Sequence, residues 1–154
     1  MASASRSTFR GNTPRRATVV GAGSFGTAVA LLLVRAGVRT TLQARTAAQA
    51  AELGRDGENR AYLPGVPLAR ELRIETAADS LERAELVLLA VPSSAIASVI
   101  AELGQRGLGP RTPIVSLAKG LVAPTGAVTT SISSALYGAE RVAVIGGPAH
   151  ADEL

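Results

Sequence analysis

Three glycines, Gly21, Gly23 and Gly26, punctuate the stretch A-T-V-V-G-A-G-S-F-G-T-A-V-A at residues 17–30 and fit G-x-G-x-x-G. Such spacing suits the binding of a pyrophosphate. The first glycine turns the chain through backbone angles that a Cβ would forbid, and the second leaves room for the anion. The third lets the following helix pack closely on the strand, while the first helical turn directs its N–H groups at the phosphates. A glycine-rich turn before a helix can also be purely structural. Here the β-branched run Thr18, Val19, Val20 precedes the loop and an apolar helical pattern follows it without a break, the context that favours a dinucleotide cradle.

A second residue able to meet phosphate stands near the expected end of the next strand. Dinucleotide folds that select NAD place Asp or Glu there, roughly 20 residues after the glycines, on the ribose hydroxyls. This chain has Gln43-Ala44-Arg45 instead. The guanidinium fork of Arg45 suits a 2′-phosphate, which points to NADP over NAD; the plain alternative is a solvated surface arginine.

Of 16 basic residues, Lys119 is the single lysine. In a chain that otherwise uses arginine, a lysine beside Gly120 at the carboxyl end of an expected strand suggests a place that needs a compact ammonium, able to hold a phosphate or polarise a carbonyl; chance retention of one surface lysine is the alternative. His150, the only histidine, sits beyond the last expected strand without a clear carboxylate partner and reads as a bystander. No constellation supports paired-carboxylate chemistry, a serine triad or a metal site.

These residues need a scaffold, and the pattern predicts one. Strand 17–20 is followed by a helix over 27–35 with Ala28, Leu31, Leu32 and Leu33 inward and Gly37 as its stop. Strand 38–42, a short helix 46–53 ended by Gly54, and a Pro/Gly-rich loop over 55–68 come next. Strand 72–75 precedes a brief helix whose capping box is read at Asp79-Ser80-Leu81-Glu82. The continuous apolar run 86–91 predicts a parallel strand covered on both faces. Pro92, Ser93 and Ser94 then lead into a helix over 95–103. Strand 113–117, a helix over 127–137 stopped by Gly138, and a sixth strand over 141–145 complete a βα alternation. The fold class is therefore α/β, a Rossmann-like doubly wound and mostly parallel sheet. Its strands' carboxyl ends share one rim.

Composition agrees. At 154 residues the chain suits one domain, and 47% hydrophobic with 3% aromatic residues calls for a core of aliphatic side chains. The formal charge of +4 comes from Arg6, Arg10, Arg15 and Arg16, and from residue 17 onward acids and bases balance. The basic excess is thus no argument for a nucleic-acid surface. With no cysteine, disulfides, thiolate catalysis and cysteine metal sites are excluded. No apolar run approaches the roughly 18 residues that a membrane span requires. Residues 1–16 lack an apolar signal core and are expected to be a disordered basic tail, with the dinucleotide-binding domain over 17–154.

Five motifs in order resemble the bacterial-type NAD(P)-dependent glycerol-3-phosphate dehydrogenases: G-A-G-S-F-G-T-A-V-A at 21–30, N-R-A-Y-L-P-G-V at 59–66, A-V-P-S at 90–93, L-A-K-G-L at 117–121 and G-G-P-A-H-A-D-E at 146–153. The resemblance implies a cytoplasmic oxidoreductase of glycerophospholipid biosynthesis. The implied reaction interconverts dihydroxyacetone phosphate and sn-glycerol 3-phosphate by hydride transfer with NADP or NAD, and a homodimer is one expectation for the full-length family. It implies that Ser24, Phe25, Arg45 and Ala151 contact the dinucleotide and that Lys119 lies between cofactor and substrate. Gly147 lines the substrate site, together with Ala149, where the family commonly carries serine or asparagine. The family's proton-transferring lysine belongs to a later helical domain, so the chain is expected to be the N-terminal cofactor-binding part, inactive alone. A non-catalytic NADP-binding module, or another reductase of small ketones or hydroxy acids on the same fold, stays open beside this reading.

Overall fold

The computed structural model describes residues 13–118, 121–122 and 126–145. The strands among them are β1 (Arg16–Val20), β2 (Arg39–Ala44), β3 (Glu58–Asn59), β4 (Leu63–Pro67), β5 (Arg73–Thr76), β6 (Leu86–Leu89), β7 (Ile114–Ser116), β8 (Leu121–Val122), β9 (Ala127–Val128) and β10 (Val142–Val144). The helices are α1 (Ser24–Arg35), α2 (Ala47–Asp56), α3 (Ser93–Glu102) and α4 (Thr129–Tyr137). Six strands join in the order β10-β7-β6-β1-β2-β5, every neighbouring pair parallel. The chain winds outward from β1 in one direction and from β6 in the other, the doubly wound order with its switch point between those two strands.

Alternation along each strand divides the core in two. Ala17, Val19, Leu42, Ala44 and Leu88 face α1 and α2, while Val20, Val87, Leu89 and Ile114 face α3. On α3 the buried Ile96, Ile100 and Leu103 repeat at helical spacing, each burial worth roughly 1.5–3 kcal/mol relative to exposure. As expected of a strand covered on both faces, Val87, Leu88 and Leu89 are all buried. On α1, Ala28 and Leu31 are buried as expected, but Leu32 and Leu33 are only half-buried, Leu33 packing against the same core.

Four expectations are corrected. The helix after β2 passes through Gly54 and stops at Gly57, whose φ of +62° gives it the left-handed cap. The stretch expected to be a loop over 55–68 contains the antiparallel hairpin of β3 and β4, which tolerates Pro64 and Pro67 because it is a two-stranded edge structure outside the main sheet. No helix follows Asp79. Its carboxylate turns back to accept from the Thr76 amide at 2.7 Å and the Thr76 hydroxyl at 2.9 Å, so the apparent cap closes the end of β5 instead. Finally, residues 127–128 form β9 against β8, and α4 begins at Thr129.

Where a helix was expected after Asp79, irregular chain crosses the sheet and leaves a cleft of about 620 Å³, lined in part by Thr18, Thr41, Arg16, Arg39, Arg73 and Glu75. Elsewhere the layers are tied by tyrosine. The Tyr137 hydroxyl, on α4, donates to the Ile100 carbonyl at 2.7 Å and accepts from the Gly104 amide at 3.1 Å, closing the end of α3. Tyr137→Phe removes both bonds and should cost about 1–2 kcal/mol in equilibrium urea unfolding.

Candidate functional site

Parallel strands bring their carboxyl ends to one rim, and backbone bonds extend the ladder past the last strand residues. Gly21 donates to the Gln43 carbonyl at 2.9 Å, Ala90 to Val20 at 2.8 Å, Leu117 to Leu89 at 2.9 Å and Ala77 to Ala44 at 2.8 Å. The glycine loop leaves β1 at the switch point, beside the end of β6.

Each of the three glycines meets a different constraint there. Gly21 has φ +112°, and a Cβ on it would stand 2.5 Å from the Ala90 carbonyl oxygen. A Cβ on Gly26 would collide with the Gly21 carbonyl oxygen and lie 2.9 Å from the Ala90 Cβ. Both positions are closed by neighbouring backbone. Gly23 differs: nothing lies within 4 Å of where its Cβ would be. It is also the N-cap of α1 and supplies no capping side chain. Open space beside an uncapped helix N-terminus, at the switch point of a doubly wound sheet, fits the pyrophosphate of a dinucleotide. Ser24 opens α1 and is half-buried; Phe25, half-buried too, packs on the core under α1.

Arg45 follows the last residue of β2 on the same rim. It is exposed, and it pairs with no carboxylate among the described residues. No acid stands at the end of β2 for the ribose hydroxyls. Gln43, buried, instead takes a hydrogen bond from Arg106, which also donates to the Asp79 carbonyl at 3.1 Å. Burial lowers the pKa of Arg106, and the Thr76 bonds hold the exposed Asp79 carboxyl below its usual range. Both groups brace the crossover from β5. Lys119, Gly147, Ala149, His150 and Ala151 lie outside the described residues. β7, which leads to Lys119, ends on the rim with the buried Ser116 hydroxyl accepting from the Ala118 amide at 3.3 Å.

Side chains not singled out above complete the loop. Asn59, buried on β3, donates to the Ala22 carbonyl at 3.1 Å and to the Thr27 hydroxyl at 2.7 Å. Thr27 in turn donates to the Gly23 carbonyl at 2.7 Å. Gln49 on α2 donates to Ala22 at 3.3 Å and accepts from the Arg45 amide at 3.1 Å. One signal was available: T-x-x-Q at 46–49 is a capping box, and Thr46 does cap α2 through the Gln49 amide at 3.2 Å. The 620 Å³ cleft is a separate feature, lined by no residue of the glycine loop. Among the described residues no group of acids or histidines could hold a metal, and no helix is long and apolar enough to cross a membrane.

A family model described as the N-terminus of NAD-dependent glycerol-3-phosphate dehydrogenase matches residues 16–154. The chain is 44% identical over 140 residues to a glycerol-3-phosphate dehydrogenase (NAD(P)+) of Moorella thermoacetica, covering 88% of this chain and 40% of that protein. It is 36% identical over 141 residues to the one from Beijerinckia indica, covering 91% and 42%. The solved glycerol-3-phosphate dehydrogenase of Coxiella burnetii superposes with a TM-score of 0.80 at 31% identity, over 90% of this chain and 42% of that one. The chain thus spans about two fifths of the length of the relatives it matches.

Proposed function

Since the chain belongs to the family of NAD-dependent glycerol-3-phosphate dehydrogenases, whose N-terminal part it matches over residues 16–154, we propose that it binds NADP or NAD for the interconversion of dihydroxyacetone phosphate and sn-glycerol 3-phosphate. The observation that carries the reading is the glycine loop at the switch point, open at Gly23 and closed by backbone at Gly21 and Gly26. The nicotinamide, when bound, gives or takes the hydride. The chain's own part is to hold and orient it.

In this proposal Gly21, Gly23, Ser24, Phe25 and Gly26 form the pyrophosphate end of the site, and Arg45 meets the 2′-phosphate. Lys119, with Gly147 and Ala149, faces the small phosphorylated substrate, and Ala151 lies against the cofactor. By family resemblance, the proton is moved by a lysine of the family's helical substrate domain. Cytoplasmic location and a homodimer of the full-length enzyme belong to the same proposal and rest on the family alone.

The test joins this chain to the remaining part of the Moorella relative and follows NADPH absorbance with dihydroxyacetone phosphate. Oxidation of NADPH is expected. Saturable NADPH binding without turnover would leave a cofactor-binding module, and turnover of other ketones in preference would point to a different reductase. On the chain alone, Arg45→Ala should raise the Kd for NADPH about 10- to 100-fold, the loss of a charge-assisted contact. The Kd for NADH should stay within about twofold, because NADH has no 2′-phosphate for the lost charge to meet. Calorimetric titration with both nucleotides reads the difference.

A further inference from the structure

A carbonyl oxygen turned into a phosphate cradle repels the anion that its neighbouring N–H should attract. At the Ala22–Gly23 peptide, two side-chain amides settle which group faces where. The Ala22 oxygen accepts from Gln49 Nε2 at 3.3 Å and from Asn59 Nδ2 at 3.1 Å, which uses both of its lone pairs. The donors come from different elements, α2 and β3. Because the peptide is planar and trans, the Gly23 N–H points opposite to that oxygen, and it has no acceptor among the described residues. The next carbonyl is restrained as well: Asn59 donates to Thr27 Oγ1 at 2.7 Å, and Thr27 donates to the Gly23 oxygen at 2.7 Å. A buried amide is costly unless its donors are used, and both donors of Asn59 serve the loop rather than its own hairpin.

We infer that Asn59 and Gln49 are positioning residues for the dinucleotide pyrophosphate, holding the Ala22–Gly23 peptide so that it offers N–H rather than C=O to the anion. Gln49 carries the same restraint to the 2′-phosphate end, since its Oε1 accepts the Arg45 amide at 3.1 Å. This role rests on the cofactor-binding reading above.

Asn59→Asp tests it without changing size. The ionised side chain has no donor and sets a negative oxygen against the Ala22 carbonyl; protonated, it donates again. Burial beside carbonyl oxygens raises the pKa of such a carboxyl, so the restraint should return on acidification. The charged groups flanking it are common to both proteins: Glu58 pairs with Arg60 at 3.6 Å, and Arg60 with Asp56 at 3.7 Å. They cancel in a ratio. The Kd for NAD+, whose phosphates do not titrate in this range, is measured by calorimetry on both chains from pH 5 to pH 8. The ratio of variant to wild type is expected to rise from about threefold to about thirtyfold, the loss of a hydrogen bond that serves a charged group. A folded variant with a ratio flat across that range overturns the role, because damage to packing alone would not follow the carboxyl's titration. Gln49→Met, at a half-buried helical position, supplies the second arm and decides alone if Asn59→Asp does not fold. It should weaken both nucleotides, NADP+ more than NAD+; binding of both as in wild type overturns the inference. If the wild-type chain binds neither nucleotide, the cofactor reading itself has failed, and the positioning role with it.

Discussion

Gly26→Ala is expected to cost the fold about 3 kcal/mol, the upper end of what overpacking a well-filled site brings. The added methyl would enter the Gly21 carbonyl oxygen and lie 2.9 Å from the Ala90 Cβ and 3.2 Å from the Gly21 carbonyl carbon. None of these can swing aside as the tip of a flexible side chain would. Relief requires α1 to lift off β1, and Ala28, Ala30 and Leu31 leave the core with it. Equilibrium urea unfolding of the variant should show a midpoint far below wild type with nucleotide binding lost. A variant as stable as wild type would mean that α1 does not rest this closely on β1.

Gly23→Ser should do the reverse: the fold holds while binding goes. The φ of −81° and ψ of −174° at Gly23 suit any residue, and nothing lies within 4 Å of a new Cβ. Serine is also a better N-cap than glycine by a few tenths of a kcal/mol, because its oxygen accepts from an amide of the first helical turn. That gain is the fault for binding. In the proposed site the side chain would fill the space left for pyrophosphate, and its oxygen would compete for the N–H groups offered to the anion. The Kd for NADPH should rise at least about 100-fold, as expected when several charge-assisted bonds go together, with an unchanged or slightly higher Tm. Unimpaired binding would move the pyrophosphate away from Gly23.

The two glycine variants also mark how far this fold can be read before it is seen. Parallel strands covered on both faces declare themselves by continuous apolar runs, and the run 86–91 marks β6 for that reason, although the strand ends at Leu89. The close backbone approach at Gly21 and Gly26 is legible too, because the glycine spacing is read together with the strand before it and the helix after it. The hairpin of β3 and β4 was hidden because its pairing spans a few residues rich in Pro and Gly, chemistry that belongs to loops and edge strands alike. The expected cap at Asp79 fails because a carboxylate near a chain turn bonds whichever donors are close, and the amide and hydroxyl of Thr76 stand behind it rather than ahead. Gly54 lost to Gly57 as helix stop because only the latter is left-handed.

In the proposed site, the glycine positions and Arg45 are suggested by residue type. Asn59 and Gln49 are not, since an amide carries no charge pattern and its partner is a backbone carbonyl distant in the chain. Their role is visible only once β3 and α2 are placed against the loop. Lys119, Gly147, Ala149 and Ala151, named from residue type and family resemblance, lie outside the described residues.

The uncovered crossover between β5 and β6 has a consequence for motion. The flank of the sheet made by β2 and β5 is packed by helices on one face and meets the cleft on the other, whereas β6 is buried on both. Local opening free energies follow such differences in burial, so amide hydrogens on β5 should exchange through small openings that β1 and β6 resist. Arg45 stands on the weaker flank and the glycine loop on the stronger. A nucleotide reaching from one to the other would therefore spend part of its binding energy tightening the flank that breathes most, and protect it in proportion.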